Sequence, residues 1–220
     1  MKMSPRIKIC CIASVAEAKV AINHGANAIG LLGPMPSGSG PIEIALIKKI
    51  AVAVPPGVST FLLTCETTAK GIIGIYEKTY VQVLQLVDEV EDMEVYTKVR
   101  KAIPHIKLVQ VIHVIGPESL SEALIKAPYV DALLLDSGNP KLAVKELGGT
   151  GRVHDWSVSK AIVDETDIPI FLAGGLNPEN VKEAIEKVRP YGVDVCSGLR
   201  RDGRLDENLL IKFVNAVSQG

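Results

Sequence analysis

The chain has 220 residues, of which 47% are hydrophobic and 22% charged, with 24 basic side chains against 25 acidic ones. This balanced charge and a 4% aromatic content argue against a nucleic-acid partner, which requires clustered basic side chains or stacking platforms. No apolar run is long enough to cross a bilayer, so we expect no membrane partner. The four cysteines have no CxxC spacing, which favours a reduced, cytoplasmic protein over a disulfide scaffold.

Short apolar runs alternate with amphipathic segments of helical length about eight times. The predicted strands are residues 6–13, 27–32, 58–63, 81–86, 106–114, 130–136, 168–174 and 192–198. The predicted helices are residues 14–25, 41–54, 68–79, 91–103, 118–127, 156–166, 177–188 and 206–218. The strands are almost continuously apolar and rich in β-branched residues, as expected of a parallel sheet that is covered on both faces.

The helix starts carry capping signals. Ser14 with Glu17 three positions later predicts a capped first helix, and Asn177 before Pro178 and Glu179 predicts another helix start. Eight strand–helix units without a linker predict one α/β domain over residues 1–220, a single (β/α)8 TIM barrel. An open doubly wound sheet is the alternative, because alternation alone does not show closure.

In a barrel of this kind, the functional residues lie where the strands end and their loops begin. That rule selects Cys10, which the first strand delivers, and Asp136 at the end of the sixth. The loops after strands six, seven and eight are rich in glycine, whose backbone amides can approach an anion closely. We therefore predict that they bind a phosphate through Gly148, Gly149, Thr150, Gly151, Gly174, Gly175, Ser197 and Gly198.

Seven short motifs stand in order along nearly the whole chain. They are KIC (8–10), GANAIG (25–30), LLD (134–136), GGTG (148–151), DW (155–156), AGGLNPENV (173–181) and GVDVCSG (192–198). Together they resemble the phosphoribosylanthranilate isomerase family of ribulose-phosphate-binding barrels. The resemblance implies an Amadori rearrangement of an aminoaldose phosphate to an aminoketose phosphate in tryptophan biosynthesis. It also implies that neither a metal nor an organic cofactor takes part.

The resemblance further implies roles for two residues. Cys10 matches the family's general base, and Asp136 matches its general acid. A thiol acts as a base only as the thiolate, whereas Asp136 would have to hold a proton near neutral pH. Five further residues are candidates for contacts with the substrate or for a lid after strand two: Lys8, Ser37, Ser39, Gln85 and His113.

The chain departs from the family pattern on one side of the expected site. The loop after strand two reads PSGSGP (36–41), without the Arg that engages the anthranilate carboxylate in the family. Residues 84–88 read LQLVD instead of VQLHG, and Gln110 stands where a Lys is common. Three explanations stay open: loop amides or Arg201 bind the carboxylate, the substrate carries a different group, or the barrel binds a phosphosugar without catalysis.

The remaining cysteines and histidines are interpreted as structural. Cys11, where the family usually carries Gly, should point away from Cys10 by strand alternation and serve in packing. Cys65 and Cys196 are interpreted as core or loop residues without chemistry. His24, His105 and His154 show no metal spacing and are expected on the surface. The expected partner is a phosphorylated, sugar-derived small molecule, and the chain is expected to be a monomer or a homodimer.

Overall fold

The computed structural model describes residues 4–35, 40–139 and 151–220. Eight parallel strands form a closed barrel in chain order. They are β1 (Arg6–Ile9), β2 (Ala28–Leu32), β3 (Ser59–Thr64), β4 (Val83–Leu86), β5 (Lys107–His113), β6 (Ala132–Asp136), β7 (Ile170–Leu172) and β8 (Gly192–Val195). Pairing of β1 with β8, from Arg6 opposite Gly192 to Ile9 opposite Val195, closes the sheet. The predicted TIM barrel is therefore confirmed, and the open sheet is excluded.

A helix follows each strand. The helices are α1 (Val15–Asn23), α2 (Ile44–Ala53), α3 (Ala69–Tyr76), α4 (Glu94–Ala102), α5 (Glu118–Lys126), α6 (Trp156–Glu165), α7 (Val181–Val188) and α8 (Glu207–Ser218). Two single 3-10 turns, Ala127–Tyr129 and Ser197–Leu199, and a small antiparallel ribbon of β9 (Arg200–Arg201) and β10 (Arg204–Leu205) complete the described elements. No helix in the described part of the chain is long and apolar enough to cross a membrane.

Side-chain caps set several helix starts. Ser14 Oγ accepts a hydrogen bond from the Glu17 amide at 3.0 Å, so the predicted cap of α1 is confirmed. The prediction for α7 was one turn too early. Asn177 Oδ1 accepts from the amides of Glu179 and Asn180 in a turn that precedes the helix, which begins at Val181.

The core has two layers, separated by the barrel wall. Outward strand residues pack against the helices, and inward residues fill the barrel. In β5, Val109 and Val111 face inward, whereas Leu108 and Ile112 face the helices. Gln110, between them in the sequence, therefore points out of the barrel and accepts a hydrogen bond from the Tyr96 hydroxyl at 2.6 Å. It lies behind the barrel wall and not in the candidate site.

Candidate active site

Polar side chains occupy inward positions near the carboxyl ends of the strands. Strand alternation places them inside the barrel, where the other inward positions are apolar. They come from β1, β4, β5, β6 and β8 or directly follow one of these strands: Lys8, Cys10, Gln85, His113, Asp136, Asp194 and Cys196. A polar cluster at this end of the barrel is where TIM barrels place their chemistry.

An ion pair lies inside the barrel. Lys8, which is fully buried, places its Nζ 2.8 Å from Asp194 Oδ2. Burial alone would lower the pKa of Lys8, but Asp194 and then Cys10 outweigh it and raise that pKa above its ordinary value. Lys8 is therefore an ammonium whose charge acts on both Asp194 and Cys10.

Cys10 follows β1 and lies beside Lys8. Its side chain is 5% exposed, and its amide donates to the carbonyl of Val195 at 2.8 Å, which extends the β1–β8 pairing by one residue. A methyl group at Gly30 of β2 would lie 2.8 Å from Cys10 Sγ and 3.2 Å from Lys8 Nζ. The GANAIG motif thus leaves room for the thiol and the ammonium.

Asp136 ends β6 three strands away from β1 around the barrel. Burial raises the pKa of its carboxyl group, and the negative charge of Asp194 adds to this, while the Ser137 amide, His113 and Lys8 oppose it. The Ser137 amide donates to Asp136 Oδ1 at 2.7 Å. A partly buried carboxyl group with a raised pKa is suited to donate a proton.

Three buried polar atoms around this cluster have no hydrogen-bond partner among the described residues. They are Gln85 Oε1, His113 Nδ1 and Asp194 Oδ1. His113 lies in register with Asp136, and its Nε2 is 2.9 Å from the Val87 carbonyl oxygen. Buried polar atoms are rarely left unpaired, so these three are available to a bound polar molecule.

The three glycine-containing loops meet on one side of the barrel mouth. A methyl group at Gly175 would lie 2.6 Å from the backbone of Arg152, and one at Gly198 would lie 2.1 Å from the Leu176 carbonyl oxygen. A methyl group at Gly151 would lie 3.9 Å from Ser197 Oγ. The loops after β6, β7 and β8 therefore pack together at distances that exclude larger side chains. Gly174 and Gly175 also have left-handed backbones, with φ of 80° and 63°.

His154 lies in this region and is only partly exposed, where a surface position was expected. A methyl group at Gly174 would lie 3.0 Å from its Nδ1, and its Nε2 is 2.6 Å from Ser159 Oγ. Burial lowers the pKa of His154 to about 4, only partly opposed by Asp155. The ring is neutral near pH 7. The sequence did not indicate this position of His154, because the absence of metal-ligand spacing says nothing about packing against a glycine turn.

Cys11 also departs from expectation. Strand alternation no longer applies to it because β1 ends at Ile9 and Cys11 has a left-handed backbone with φ of 59°. Its thiol lies near those of Cys10 and Cys196, which raise its pKa, instead of pointing away. Two strand ends thus bring three thiols together.

Arg200, and not Arg201, is the arginine near Cys10. Arg201 is exposed and pairs with Asp206 at 3.2 Å. Arg200 Nη2 donates to the carbonyls of Cys10, at 3.3 Å, and Cys11. It also lies 3.5 Å from Glu17 Oε2. No motif in the sequence indicated this contact, whereas Asp194 could have been found from its inward position in β8.

Several predicted residues lie outside the described part of the chain: Ser37, Ser39, Gly148, Gly149 and Thr150. The glycine-rich lid predicted after β2 lies partly outside it as well. Within the described ranges, no group of three or more His, Cys, Asp or Glu side chains could hold a metal ion. The candidate site therefore consists of the polar cluster in the barrel and the three packed loops.

Comparison with known proteins gives consistent matches over nearly the full chain. The family model described as N-(5′-phosphoribosyl)anthranilate (PRA) isomerase matches residues 7–216. N-(5′-phosphoribosyl)anthranilate isomerase 2 of Methanosarcina mazei is 42% identical over 96% of this chain and 92% of its own length. The isomerase of Methanosarcina acetivorans is 34% identical over 98% of this chain and 94% of its own.

Solved structures agree with the sequence matches. Phosphoribosylanthranilate isomerase from Thermotoga maritima superposes with a TM-score of 0.84 at 28% identity, covering 98% of this chain and 99% of its own. A phosphoribosylanthranilate isomerase in complex with reduced 1-(o-carboxyphenylamino)-1-deoxyribulose 5-phosphate has a TM-score of 0.81 at 27% identity, with the same coverage. Another Thermotoga maritima structure is of monomers generated from a dimeric isomerase.

Proposed function

The chain belongs to the N-(5′-phosphoribosyl)anthranilate isomerase family, and from this premise we propose that Cys10 and Asp136 carry out the family's reaction. The activity is that of an intramolecular isomerase of tryptophan biosynthesis, which converts an aminoaldose phosphate to an aminoketose phosphate. The observation that carries the residue assignment is the position of both side chains, inward and at strand ends, within one polar cluster at the mouth of the barrel.

The first step is the opening of the furanose ring. The carboxyl group of Asp136 donates its proton to the ring oxygen while the nitrogen lone pair breaks the C1′–O bond, and a protonated imine forms. The raised pKa of Asp136 supports this role because the group then keeps its proton to a higher pH than an exposed Asp.

The second step is the removal of the C2′ proton. The thiolate of Cys10 takes this proton, the C1′–C2′ double bond forms, and the nitrogen regains its lone pair. In the resulting enol, C1′ then takes up a proton and the C2′ hydroxyl group loses one, which gives the ketone. The ammonium of Lys8 lies beside Cys10, where it faces the sulfur that takes the proton.

The phosphate is proposed to bind where the three loops meet. Gly151, Gly174, Gly175, Ser197 and Gly198 supply backbone and hydroxyl donors there, and their packing supports a single anion site. Gly148, Gly149 and Thr150 belong to the same loop in sequence and remain part of the proposal. Lys8, Gln85 and His113 are proposed to contact the sugar, and Ser37 and Ser39 the substrate from the loop after β2.

We also propose a cellular compartment and an oligomeric state for the protein. None of the four cysteines, all of which lie in the described part of the chain, forms a disulfide, which supports a reducing, cytoplasmic setting. A relative is dimeric, and we propose that this chain is a monomer or a homodimer. Sedimentation at micromolar concentration distinguishes the two states.

The proposal is tested by turnover of phosphoribosylanthranilate beside its aniline analogue, which lacks the carboxylate. We expect conversion of the first to the aminoketose phosphate, followed by chromatography, and competitive inhibition by inorganic phosphate. A lower kcat/KM for the analogue would show that the carboxylate is recognised although the loop after β2 carries no Arg. No turnover of either compound by the folded protein would refute the assigned activity.

A further inference from the structure

Three cysteines meet at the ends of β1 and β8. Ile9 lies opposite Val195, and the Cys10 amide donates to Val195, so Cys10 and Cys196 are the next cross-strand neighbours. Neighbouring strands are about 4.8 Å apart, which is within the Cα separation that disulfides span. The left-handed turn at Cys11 then brings a third thiol against these two.

Cys11 and Cys196 influence each other's pKa. The Cys11 thiol is hydrogen-bonded to Cys10 and Cys196, which raises the pKa of Cys11. The same contact lowers the pKa of Cys196, to which the positive charge of Arg200 contributes against the effect of burial. Of the two thiols, Cys196 is therefore the one that ionises more readily.

The three thiols differ in their exposure to solvent. Cys10 is buried, whereas Cys11 and Cys196 are both partly exposed. Arg200 contacts all three, through the carbonyls of Cys10 and Cys11 and the thiol of Cys196. An accessible thiolate beside a cation and a second thiol is the arrangement of a reversible redox site.

We propose that Cys11 and Cys196 form a peroxide-responsive dithiol that closes to a disulfide and spares Cys10. The Cys196 thiolate attacks one peroxide oxygen, the O–O bond breaks, and hydroxide leaves, giving a sulfenic acid. Cys11 sulfur then attacks the sulfenic sulfur, the S–O bond breaks, and the Cys11 proton leaves with the hydroxyl group as water. Overall, two thiols and one hydrogen peroxide give one disulfide and two waters, with both sulfurs oxidised and the peroxide reduced.

The test is thiol counting by mass spectrometry, which does not depend on isomerase activity. The full chain is treated with equimolar hydrogen peroxide, denatured, and alkylated with N-ethylmaleimide. We expect two alkylated cysteines instead of four, a tryptic cross-link between residues 9–19 and 188–200, and recovery of four alkylation sites after dithiothreitol. Four alkylated thiols in the treated protein, or a disulfide between two chains, would overturn the proposal.

Variants assign the bond, because Cys10 and Cys11 share one tryptic peptide. Cys10→Ser and Cys65→Ser should both keep the cross-link, with Cys65→Ser as the matched control outside the cluster. Cys11→Ser should abolish it and leave Cys196 as a sulfenic or sulfinic acid. A cross-link that persists in Cys11→Ser would place the bond at Cys10 and contradict the proposal. If that variant does not fold, fragment spectra of the wild-type cross-link make the same distinction.

Discussion

Lys8 Nζ lies 2.8 Å from Asp194 Oδ2 inside the barrel. This ion pair joins β1 to β8, the first and last strands of the barrel, across 186 residues of sequence. Both side chains are buried, so each neutralises a charge that would otherwise be costly in a low-dielectric interior. The pair also places a positive charge beside Cys10. It therefore links closure of the barrel to the chemistry proposed at its mouth.

Removing one partner of this pair should destabilise the protein strongly. Lys8→Met leaves Asp194 buried and unpaired, at a cost of about 3–5 kcal/mol in the free energy of unfolding, measured by urea denaturation. The double variant Lys8→Met with Asp194→Leu should recover most of that loss. Lys98→Met, which breaks the exposed pair with Glu94, should leave the stability nearly unchanged. Equal stability of the two Lys variants would contradict the interpretation.

Gly30 should not accept a side chain. Gly30→Ala places a methyl group 2.8 Å from Cys10 Sγ. We expect a loss of about 1–3 kcal/mol of stability and a fall in kcat of about tenfold or more as the thiol is displaced. Gly74→Ala is the control, since nothing lies within 4 Å of the added methyl group in α3. It should gain about 0.5–1 kcal/mol. A Gly30→Ala variant with unchanged kcat would contradict the assigned position of the thiol.

The stability of the protein should fall in mild acid because of His154. Its pKa is lowered to about 4 in the folded protein, against about 6.5 when unfolded. The unfolded chain therefore binds the proton first, and stability that is complete above about pH 6.5 is lost as the pH falls towards 4. The loss amounts to roughly 3 kcal/mol at about 1.4 kcal/mol per pH unit.

The measurement is the free energy of unfolding at pH 7 and pH 4.5 for wild type, His154→Phe and His105→Gln. His154→Phe should flatten the acid limb, and His105→Gln is the matched control at an exposed position. An acid limb of equal steepness in all three proteins would show that His154 is not buried as described.

Arg200 should position the segment that carries Cys10. Arg200→Gln removes the hydrogen bonds to the carbonyls of Cys10 and Cys11, and we expect a loss of about 1–3 kcal/mol of stability. It should also lower kcat with little change in KM. Arg201→Gln is the matched neighbour, exposed and paired with Asp206, and should alter neither quantity measurably. Identical kinetics for the two variants would show that Arg200 does not position the segment that carries Cys10.

Much of the barrel could be predicted from the sequence because its signals are local. Apolar runs with helix-length spacers gave all eight strands within a few residues, and the Ser14 cap was correctly identified. The errors occur where the backbone leaves regular geometry. Strand periodicity could not predict Cys11, because its left-handed φ turns the chain after β1 has ended.

The site was less predictable because its contacts join distant parts of the chain. The alternation of β8 indicates that Asp194 faces inward, but only closure of the barrel brings it to Lys8. Each strand of the ribbon that carries Arg200 has only two residues, so the sequence shows no alternation of apolar and polar residues that could predict it. Glycine packing at Gly175 and Gly198 depends on loops from three strands, which only the folded structure brings together.

The most direct test of the central claim is the kinetics of Cys10→Ala and Asp136→Asn with phosphoribosylanthranilate, beside Cys65→Ala as a folded control. We predict that each of the first two lowers kcat by about 10²–10⁴-fold while the control keeps wild-type turnover. Circular dichroism would verify that all three variants fold. If folded Cys10→Ala and Asp136→Asn both keep kcat within a few-fold of wild type, these residues are not the base and the acid.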